Sequence, residues 1–411
     1  MIHVCFSLYD KTGRYSKFTG TTMLSLFENT TSDVTVHILH DNTLKNDNRD
    51  KFIYLAGLYG QAVKFYNVEE LCADKIEDFK NFVPLVKTSR LSIGALYRLL
   101  APQILPHDIN RVAYFDSDII LNLDIAELWK IELGDKPFAA APEAVINYLD
   151  HPFHSKTKFL MVNGYVNSED YFNSGVLLMN LDYMRNAEEF IMEGVKFCGQ
   201  YPQCDTLDQD ILNYLFSKDY LKLPEHFDVF VGIERRRGQY QTRKAIYHYG
   251  GSPFGAGMGM DTRDVFNRLW MDYFLKSPWF NSDSIGRLFD RIKSLDAERK
   301  SLTANISAAV SGKTRGFITI EKYIDPLIKN FSVRDDEEIF LIENGIPVQN
   351  IIDALNASRG EKFFFILIPN FPFNALTAAG FVEGKDFING IEFLSGTNTA
   401  SLNPYPFIAA M

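Results

Sequence analysis

Two carboxylates, Asp116 and Asp118, lie one residue apart in RVAYFDSDIILNLD, directly after a run of apolar residues. Aspartate is disfavoured in strands, and two like charges at this spacing repel each other. A divalent cation would remove the repulsion, because Mg²⁺ and Mn²⁺ take carboxylate oxygens as ligands. The alternative is an ordinary turn in which one carboxylate caps a following helix. The pair therefore predicts a metal site at the end of a buried strand, with a simple turn as the alternative.

His248 is the candidate third ligand. It lies at the end of the strand-like run KAIYHY and leads into GGSPFGAGMGM, which is rich in glycine. An imidazole nitrogen beside two carboxylates favours Mn²⁺ over Mg²⁺. Glycine lets the backbone approach a ligand closely, so the segment after His248 is predicted to be a lid over a metal-bound molecule. The alternatives are a structural histidine and an ordinary surface loop.

Further polar residues lie at the predicted ends of other elements. Asn173 and Ser174 precede the strand-like run GVLLMNL, and TLDQDILNYLF predicts a helix whose first turn holds Asp208, Gln209 and a further aspartate. One such residue is enough to cap a helix, so three leave side chains for other work. Arg98 lies in the apolar face of ALYRLL, where a guanidinium must either reach the surface or meet an anion.

The elements that must position these residues are short apolar strands alternating with helices. The predicted strands are IHVCFSL, VTVHILH, AVKFYNV and RVAYFDSDIIL, and the predicted helices are GTTMLSLFENT, NDNRDKFIYLAGLYG and IGALYRLLAPQIL, the last broken by Pro102. This alternation predicts an α/β fold with a mostly parallel sheet and helices on both faces. Ligands bind at the carboxyl ends of strands in such sheets, which is where the carboxylate pair falls.

Three regions are predicted along the chain. Residues 1–280 form a large α/β domain, and residues 281–315 a helical linker with apolar residues every three, four or seven positions. Residues 316–411 form a small α/β domain with the strands EEIFLIE and KFFFILIP and the helices VQNIIDALNASRG and NALTAAGF. The amphipathic helix over 281–312 is interpreted as a packed linker or a homodimer helix, with a membrane-surface helix as the alternative.

Composition and charge exclude some classes of function. The 411 residues carry a net charge of −10, which argues against nucleic acid as a main partner. The four cysteines lack metal-type spacing and are predicted to be buried thiols in a reducing compartment. The first residues lack the pattern of a signal peptide, and no apolar run reaches about 18 residues. A cytoplasmic protein with at most peripheral membrane contact is expected.

Five of these segments resemble, in the same order, glycosyltransferase family 8. They are YRLLAPQILP, RVAYFDSDIILNLDIAELW, YFNSGVLLMNL, LDQDILNYLF and HYGG, within about the first 260 residues. The family comprises retaining galactosyl- and glucosyltransferases, many of them bacterial, with the Rossmann-like GT-A fold. The resemblance implies a GT-A nucleotide-sugar transferase domain, a helical linker and a small C-terminal α/β add-on domain.

The resemblance also implies roles for individual residues. Asp116, Asp118 and His248 would bind Mn²⁺, with Mg²⁺ as the alternative, beside the diphosphate of a UDP-sugar. The residues implied to contact the donor or the cation are Leu8, Tyr9, Asp10, Arg98, Asp116, Ser117, Asp118, Asn173, Ser174, Gly175, His248 and Gly251. The residues implied to act in catalysis, near the anomeric carbon or between donor and acceptor, are Asp208, Gln209 and Glu143.

Two departures from the family pattern stand out. The segment LYDKTGRYSK after the first strand is a few residues longer than usual, which affects the base contacts expected from Leu8, Tyr9 and Asp10. Phe254 stands where the family usually has a lysine that reaches the diphosphate. We hypothesise that Arg263 or the cluster of residues 235–237 supplies the missing positive charge.

The sequence thus predicts a Mn²⁺-dependent hexosyltransferase that moves glucose or galactose from a UDP-sugar to a glycan, glycolipid or glycoprotein hydroxyl. Retention could arise from acceptor attack on the leaving-group face, the favoured route, or from a nucleophile among Asp208, Gln209 and Glu143. The alternative function is a non-catalytic nucleotide-sugar or glycan-binding protein. A phosphotransferase ranks below both because no phosphate-binding loop is present. The C-terminal domain resembles half-Rossmann modules of bacterial surface-polysaccharide proteins and is expected to bind the acceptor or a partner.

Overall fold

The computed structural model describes residues 1–83, 92–147, 158–251, 264–280, 310–331, 333–342, 347–369 and 371–391, with a few isolated residues between 286 and 308. The described residues up to 280 form one compact unit, and the later ones form a second. The linker predicted over 281–315 lies mostly outside the described residues, as do Phe254 of the predicted lid and Arg263. In the part of the chain that is described, no helix is long and apolar enough to cross a membrane.

The strands of the described residues are β1 (Ile2–Leu8), β2 (Val34–His40), β3 (Ala62–Asn67), β4 (Arg111–Phe115), β5 (Ile119–Leu121), β6 (Phe138–Pro142), β7 (Phe172–Asn180), β8 (Leu221–Lys222), β9 (Val229–Phe230), β10 (Ile246–His248), β11 (Thr314–Thr319), β12 (Glu338–Leu341), β13 (Lys362–Leu367) and β14 (Phe387–Asn389). The helices are α1 (Arg14–Glu28), α2 (Asn46–Leu58), α3 (Val68–Leu71), α4 (Ala73–Phe82), α5 (Ala101–Ile104), α6 (Ile125–Trp129), α7 (Phe159–Val162), α8 (Leu181–Asn186), α9 (Glu188–Gln200), α10 (Asp208–Phe216), α11 (Val231–Arg236), α12 (Val265–Phe274), α13 (Ile324–Phe331), α14 (Val348–Ala357) and α15 (Phe373–Ala378).

The first unit is built on a seven-stranded sheet in the order β3-β2-β1-β4-β7-β6-β8. β3, β2, β1 and β4 are parallel, as the alternating pattern predicts, and every residue of β2 is buried. A strand buried on both faces is rich in apolar and β-branched residues, which made VTVHILH recognisable despite its two histidines. β7 runs antiparallel to both β4 and β6. Two apolar cores flank this sheet.

The segment RVAYFDSDIIL is not one strand, as predicted, but two. β4 ends at Phe115, and β5 begins at Ile119 in a separate three-stranded sheet in the order β5-β10-β9. The chain turns at the two aspartates because a continuous ladder would place both charges among apolar side chains. The Thr22 hydroxyl of α1 is within hydrogen-bonding distance of the carbonyl oxygens of Ser117, at 2.9 Å, and Ile119, at 2.6 Å.

The helix predicted over IGALYRLLAPQIL also differs from the structure. Ile93–Leu100 is a 3₁₀ helix, and α5 begins at Ala101 with Pro102 in its first turn. Proline is tolerated there because the first turn of a helix has amide groups without intrahelical partners. The break therefore precedes Pro102, and the 3₁₀ segment carries Arg98 into the interior.

The second unit is a parallel sheet in the order β12-β11-β13-β14 with an apolar core on each face. The predicted strands EEIFLIE and KFFFILIP correspond to β12 and β13. β11 was not predicted, because its short run TRGFIT carries a charged residue, Arg315, at its second position. That arginine is buried and paired with the buried carboxylate of Glu337, which satisfies the charge inside the unit.

Candidate active site

The two aspartates and His248 converge at one point. The possible ligand atoms of Asp116, Asp118 and His248 lie within 4.8 Å of one another. The register of the small sheet explains the convergence, since His248 pairs with Ile119 across the β5–β10 ladder and so lies beside Asp118. His248 Nε2 is 3.5 Å from Asp118 Oδ1 and 3.9 Å from Asp116 Oδ2. Two carboxylates and an imidazole in this arrangement can hold a divalent cation.

A third carboxylate, Asp228, lies behind the histidine and was not predicted. Its Oδ1 is 3.1 Å from His248 Nδ1, and its side chain is buried. Burial raises the pKa of Asp228, and contact with His248 opposes this effect. Burial likewise favours the protonated form of Asp118, but His248 and the Gly251 amide hold the pKa of that carboxyl below its ordinary value. Asp118 is therefore ionised in the folded protein.

Arg98 meets anions inside the protein rather than reaching the surface. Its guanidinium donates to Asp116 Oδ1 at 2.7 Å and to the Ser174 carbonyl oxygen at 2.7 Å, and its Nε is 3.1 Å from Asp208 Oδ2. It also lies over the ring of Tyr114. Burial raises the pKa of Asp208 to about 6, although Arg98 acts in the opposite direction. Arg98 thus ties the metal-site carboxylate to the first turn of α10.

Glu143, Asn173 and Gln209 form a second hydrogen-bonded group. Glu143 Oε2 accepts from Asn173 Nδ2 at 2.8 Å and from Gln209 Nε2 at 3.0 Å. Gln209 Oε1 in turn accepts from the Ser174 amide at 3.0 Å. Both ends of the Gln209 amide are engaged, so its orientation in the site is fixed by its neighbours.

These two groups border one cavity of about 380 Å³. The predicted residues that line it are Tyr9, Arg98, Asp116, Ser117, Asp118, Glu143, Asn173, Gln209, His248 and Gly251. Lining residues that the sequence analysis did not single out include Tyr15, Tyr114, Lys158, Tyr171, Thr206 and Phe230. Ser174 and Asp208 lie buried behind this wall, joined by a hydrogen bond of 2.9 Å from Ser174 Oγ to Asp208 Oδ2.

Two of the three residues that were expected to contact the uridine base of the donor do not line the cavity. Leu8 and Asp10 are buried and are not among the residues that line the cavity, whereas Tyr9 is. Asp10 accepts hydrogen bonds from the Tyr15 amide at 2.9 Å and from the Ser16 hydroxyl. It therefore holds the loop between β1 and α1, which presents Tyr15 to the cavity.

Two glycines are required, Gly175 by close approach and Gly251 by its backbone conformation. A Cβ atom on Gly175 would lie 2.4 Å from His248 Cε1, so only glycine leaves space for the imidazole. Gly251 has φ 122°, and its amide donates to Asp118 Oδ2. Ser117, between the two aspartates, accepts a hydrogen bond of 2.8 Å from Thr19 of α1. All three predicted positions therefore shape the immediate surroundings of Asp118 and His248.

The turn that presents Asp208 and Gln209 is strained. Leu207 has φ 42°, the only positive φ of a non-glycine residue in the described chain. The buried Asp210 carboxylate holds the turn from one side, accepting from the Thr206 amide at 3.0 Å and the Tyr171 hydroxyl at 2.7 Å. Such strain persists only where the surroundings determine the conformation, and it is frequent at functional sites.

Comparison with known proteins places this site in a family. The sequence pattern of glycosyl transferase family 8 matches residues 6–253, which is more than half of the chain. The chain belongs to glycosyl transferase family 8. It is accordingly a glycosyltransferase, and the matched segment contains every residue of the cavity wall.

Individual relatives of this family 8 chain are distant. It is 24% identical over 271 residues to general stress protein A of Bacillus subtilis, covering 61% of this chain and 88% of that protein. It is 26% identical over 200 residues to a putative glycosyltransferase of Haemophilus influenzae, covering 48% of this chain and 55% of that protein. The chain thus spans only about half the length of the second relative.

Solved structures identify the fold of the family 8 chain as GT-A. The galactosyltransferase LgtC, in complex with donor and acceptor sugar analogues, superposes with a TM-score of 0.52 at 22% identity, over 69% of this chain and 99% of that one. The bifunctional glycosyltransferase WbbM gives a TM-score of 0.50 at 17% identity, over 68% of this chain and 50% of that one. At these identities the likeness extends to the fold alone.

The hypothesis that Arg263 or the arginine cluster 235–237 supplies the positive charge of the missing family lysine stays a prediction. Arg235 is bound by Asp264 at 2.8 Å, and Arg237 is paired with Glu225 and Glu234. Neither arginine is among the described residues that line the cavity. The other candidate, Arg263, lies outside the described residues.

Proposed function

We propose that this family 8 enzyme transfers glucose or galactose from a UDP-sugar to a hydroxyl of a glycan, glycolipid or glycoprotein, with retention and with dependence on Mn²⁺. One observation carries the proposal. Asp116, Asp118 and His248 converge on the wall of the same cavity that Glu143 and Gln209 line. A cation site next to fixed amide and carboxylate groups suits the transfer of a sugar from a diphosphate.

The residues present fit a divalent cation. Asp116 and Asp118 offer hard oxygen ligands, and His248 presents Nε2 while its Nδ1 faces Asp228. The mixed oxygen and nitrogen set favours Mn²⁺ over Mg²⁺. When bound there, the cation would neutralise the charge that develops on the departing UDP.

The contacts of the carboxylates support retention without a protein nucleophile. Glu143 Oε2 already accepts from Asn173 and Gln209, and its Oε1 accepts from the Val145 amide at 3.2 Å. Asp208 Oδ2 is held by Arg98 and Ser174. A carboxylate that already accepts several hydrogen bonds is a weaker nucleophile, so these residues are better placed to orient the sugar and to stabilise positive charge on it.

The charges around the cavity support a neutral hexose as the donor sugar. Arg98 is paired with Asp116 and Asp208, and Lys158 lies 3.3 Å from the Asp210 carboxylate. The cationic side chains of the wall are thus already matched with acids. A uronic acid would bring a further negative charge beside Glu143, which favours glucose or galactose over it.

The test is release of UDP from UDP-galactose and UDP-glucose, measured side by side with Mn²⁺ or with EDTA. We expect metal-dependent release that favours one sugar and is absent in Asp118→Ala. UDP-glucuronate should compete weakly with either donor. Mn²⁺-dependent binding of UDP without release, even when candidate acceptors are supplied, would favour the alternative of a nucleotide-sugar-binding protein. No binding of UDP would contradict the proposed site.

A further inference from the structure

Asp228 is a buried carboxylate at the metal site that lies too far back to be one of its three converging ligands. It lies at the end of the 3₁₀ turn Glu225–Phe227, directly before β9. β9 pairs in parallel with β10, with Phe230 opposite His248 and Val229 opposite Tyr247. This register places Asp228 behind the imidazole, on the side away from Asp116 and Asp118.

The geometry assigns His248 one orientation. Asp228 Oδ1 lies 3.1 Å from Nδ1, while Nε2 faces Asp118 at 3.5 Å. A carboxylate accepts hydrogen bonds, so the proton of a neutral imidazole belongs on Nδ1 and the lone pair of Nε2 points at the cation position. The Phe230 ring lies 5.2 Å from the imidazole centre, and Gly175 lies so close to the imidazole that a Cβ there would be 2.4 Å from His248 Cε1. Both neighbours limit movement of the ring.

The second oxygen of Asp228 argues against a purely structural role. Asp228 Oδ2 is buried and has no hydrogen-bond partner among the described residues. Leaving a buried charged oxygen unsatisfied costs on the order of 1–3 kcal/mol or more. A residue that served only to tie β9 to β10 could be a neutral amide or hydroxyl at lower cost. An anion at this position polarises the imidazole, which makes Nε2 a stronger ligand.

We propose that Asp228 is a positioning residue that fixes the proton of His248 on Nδ1 and strengthens Nε2 as a ligand for the divalent cation. The proposal rests on the metal site of the proposed function. It adds a carboxylate–histidine–cation chain that runs from β9 through β10 to the carboxylate pair between β4 and β5.

The experiment measures Mn²⁺ binding by EPR titration of the full chain without UDP, together with the spin-echo modulation from a coordinated ¹⁴N nucleus. The variants are Asp228→Ala, Asp228→Asn and His248→Gln. Glu225→Gln is the matched control, because Glu225 lies in the adjoining turn and pairs with the distant Arg237. We expect Asp228→Ala to weaken Mn²⁺ binding roughly 10–100-fold and to reduce the ¹⁴N modulation. Asp228→Asn, which keeps an acceptor oxygen without the charge, should fall between Asp228→Ala and the native protein.

The outcomes separate the proposal from the function on which it rests. If the native protein binds Mn²⁺ with ¹⁴N modulation and Asp228→Ala retains both while His248→Gln loses them, Asp228 has no positioning role. If the native protein binds no Mn²⁺, the metal site itself is wrong. Should Asp228→Ala fail to fold, Asp228→Asn decides, since unchanged affinity and modulation in that variant overturn the proposal.

Discussion

Asp118 and Gln209 line the same cavity, but substituting them is expected to have different effects on UDP binding and on turnover. Asp118→Ala removes a ligand of the cation, so metal-dependent binding of UDP and transfer should both be lost. Gln209 contacts Glu143 and Ser174 and is not one of the three converging ligands. Gln209→Ala should therefore lower the turnover rate at least about 100-fold while UDP affinity stays nearly native. Calorimetric titration with UDP and Mn²⁺ checks the split, and loss of UDP binding in Gln209→Ala would contradict it.

Substitution of Gly175 tests whether Mn²⁺ binding requires the His248 imidazole in its present position. In Gly175→Ala the new methyl would lie 2.4 Å from His248 Cε1, so the ring must move away from Asp118. We expect weakened Mn²⁺ binding, measured by EPR, in a protein that still folds. Gly57→Ala is the control, since a Cβ there meets no atom within 4 Å and helix interiors favour alanine over glycine. If Gly175→Ala bound Mn²⁺ with native affinity, the His248 ring would not need its present position.

Asp208 makes stability depend on pH in a defined direction. Its pKa rises from 3.8 to about 6 on folding because of burial, so the folded chain holds the proton more tightly than the unfolded chain. The contribution of this group to stability therefore falls as pH rises from 3.8 to 6, by on the order of 3 kcal/mol, and is constant above. Asp208→Asn lacks this change, so its stability relative to the native protein should increase across that window. Urea unfolding in EDTA at several pH values measures the difference, and a flat difference would contradict the buried carboxylate.

Among individual residues, the sequence predicted those that line the cavity better than those that hold the lining residues in position. Asp116 and Asp118 were recognisable because paired carboxylates after an apolar run are costly without a cation, and His248 because it ends a strand-like run before a glycine-rich segment. Asp228 follows a short polar turn in EHFDVF, where an aspartate is unremarkable. Its importance arises only from the β9–β10 register, which no local pattern encodes.

Helix α1 is the element that holds the turn of the carboxylate pair in place. The Thr22 hydroxyl lies 2.9 Å from the Ser117 carbonyl oxygen and 2.6 Å from that of Ile119. Thr22→Val keeps the shape but leaves both buried carbonyls without this donor, so we expect a loss of about 1–3 kcal/mol in stability and weaker Mn²⁺ binding. Thr21→Val is the control, because the buried Thr21 hydroxyl bonds only Lys17 within α1. Equal effects of the two changes on Mn²⁺ affinity would contradict an anchoring role for α1.

Most elements of the first sheet follow from local patterns, but their directions and junctions do not. Strand-like runs rich in apolar residues, alternating with helices, predicted the parallel half, β3 to β4. The antiparallel β7 has the same apolar composition as a parallel strand, and composition does not record direction. The division of RVAYFDSDIIL between two sheets depends on the distant pairing of Ile119 with His248.

The whole chain divides into units with separate apolar cores, and every residue of the cavity wall lies in the first. The boundaries predicted at 280 and 315 remain predictions, because most of residues 281–309 lie outside the described part. Trp279 belongs to the first unit, where it is buried against Phe52 and Gly20 and donates to Asn48 Oδ1 at 2.9 Å. A first unit made alone must therefore include this tryptophan.

We predict that residues 1–280 fold on their own and keep Mn²⁺-dependent UDP binding close to that of the full chain. A chain ending at Lys276 lacks Trp279 and should be less stable by about 3–5 kcal/mol, because a buried aromatic side chain and its contacts are removed. If the second unit binds the acceptor, as predicted from the sequence, the 1–280 chain should still release UDP slowly to water but lose acceptor-dependent transfer. Thermal unfolding and calorimetry with UDP test the first expectation, and assays with and without acceptor test the second. A folded 1–280 chain that does not bind UDP would contradict the assignment of the donor site to the first unit. If the 1–280 chain transferred sugar to the acceptor as well as the full chain does, the second unit would not be the acceptor-binding part, and another partner for it would be favoured.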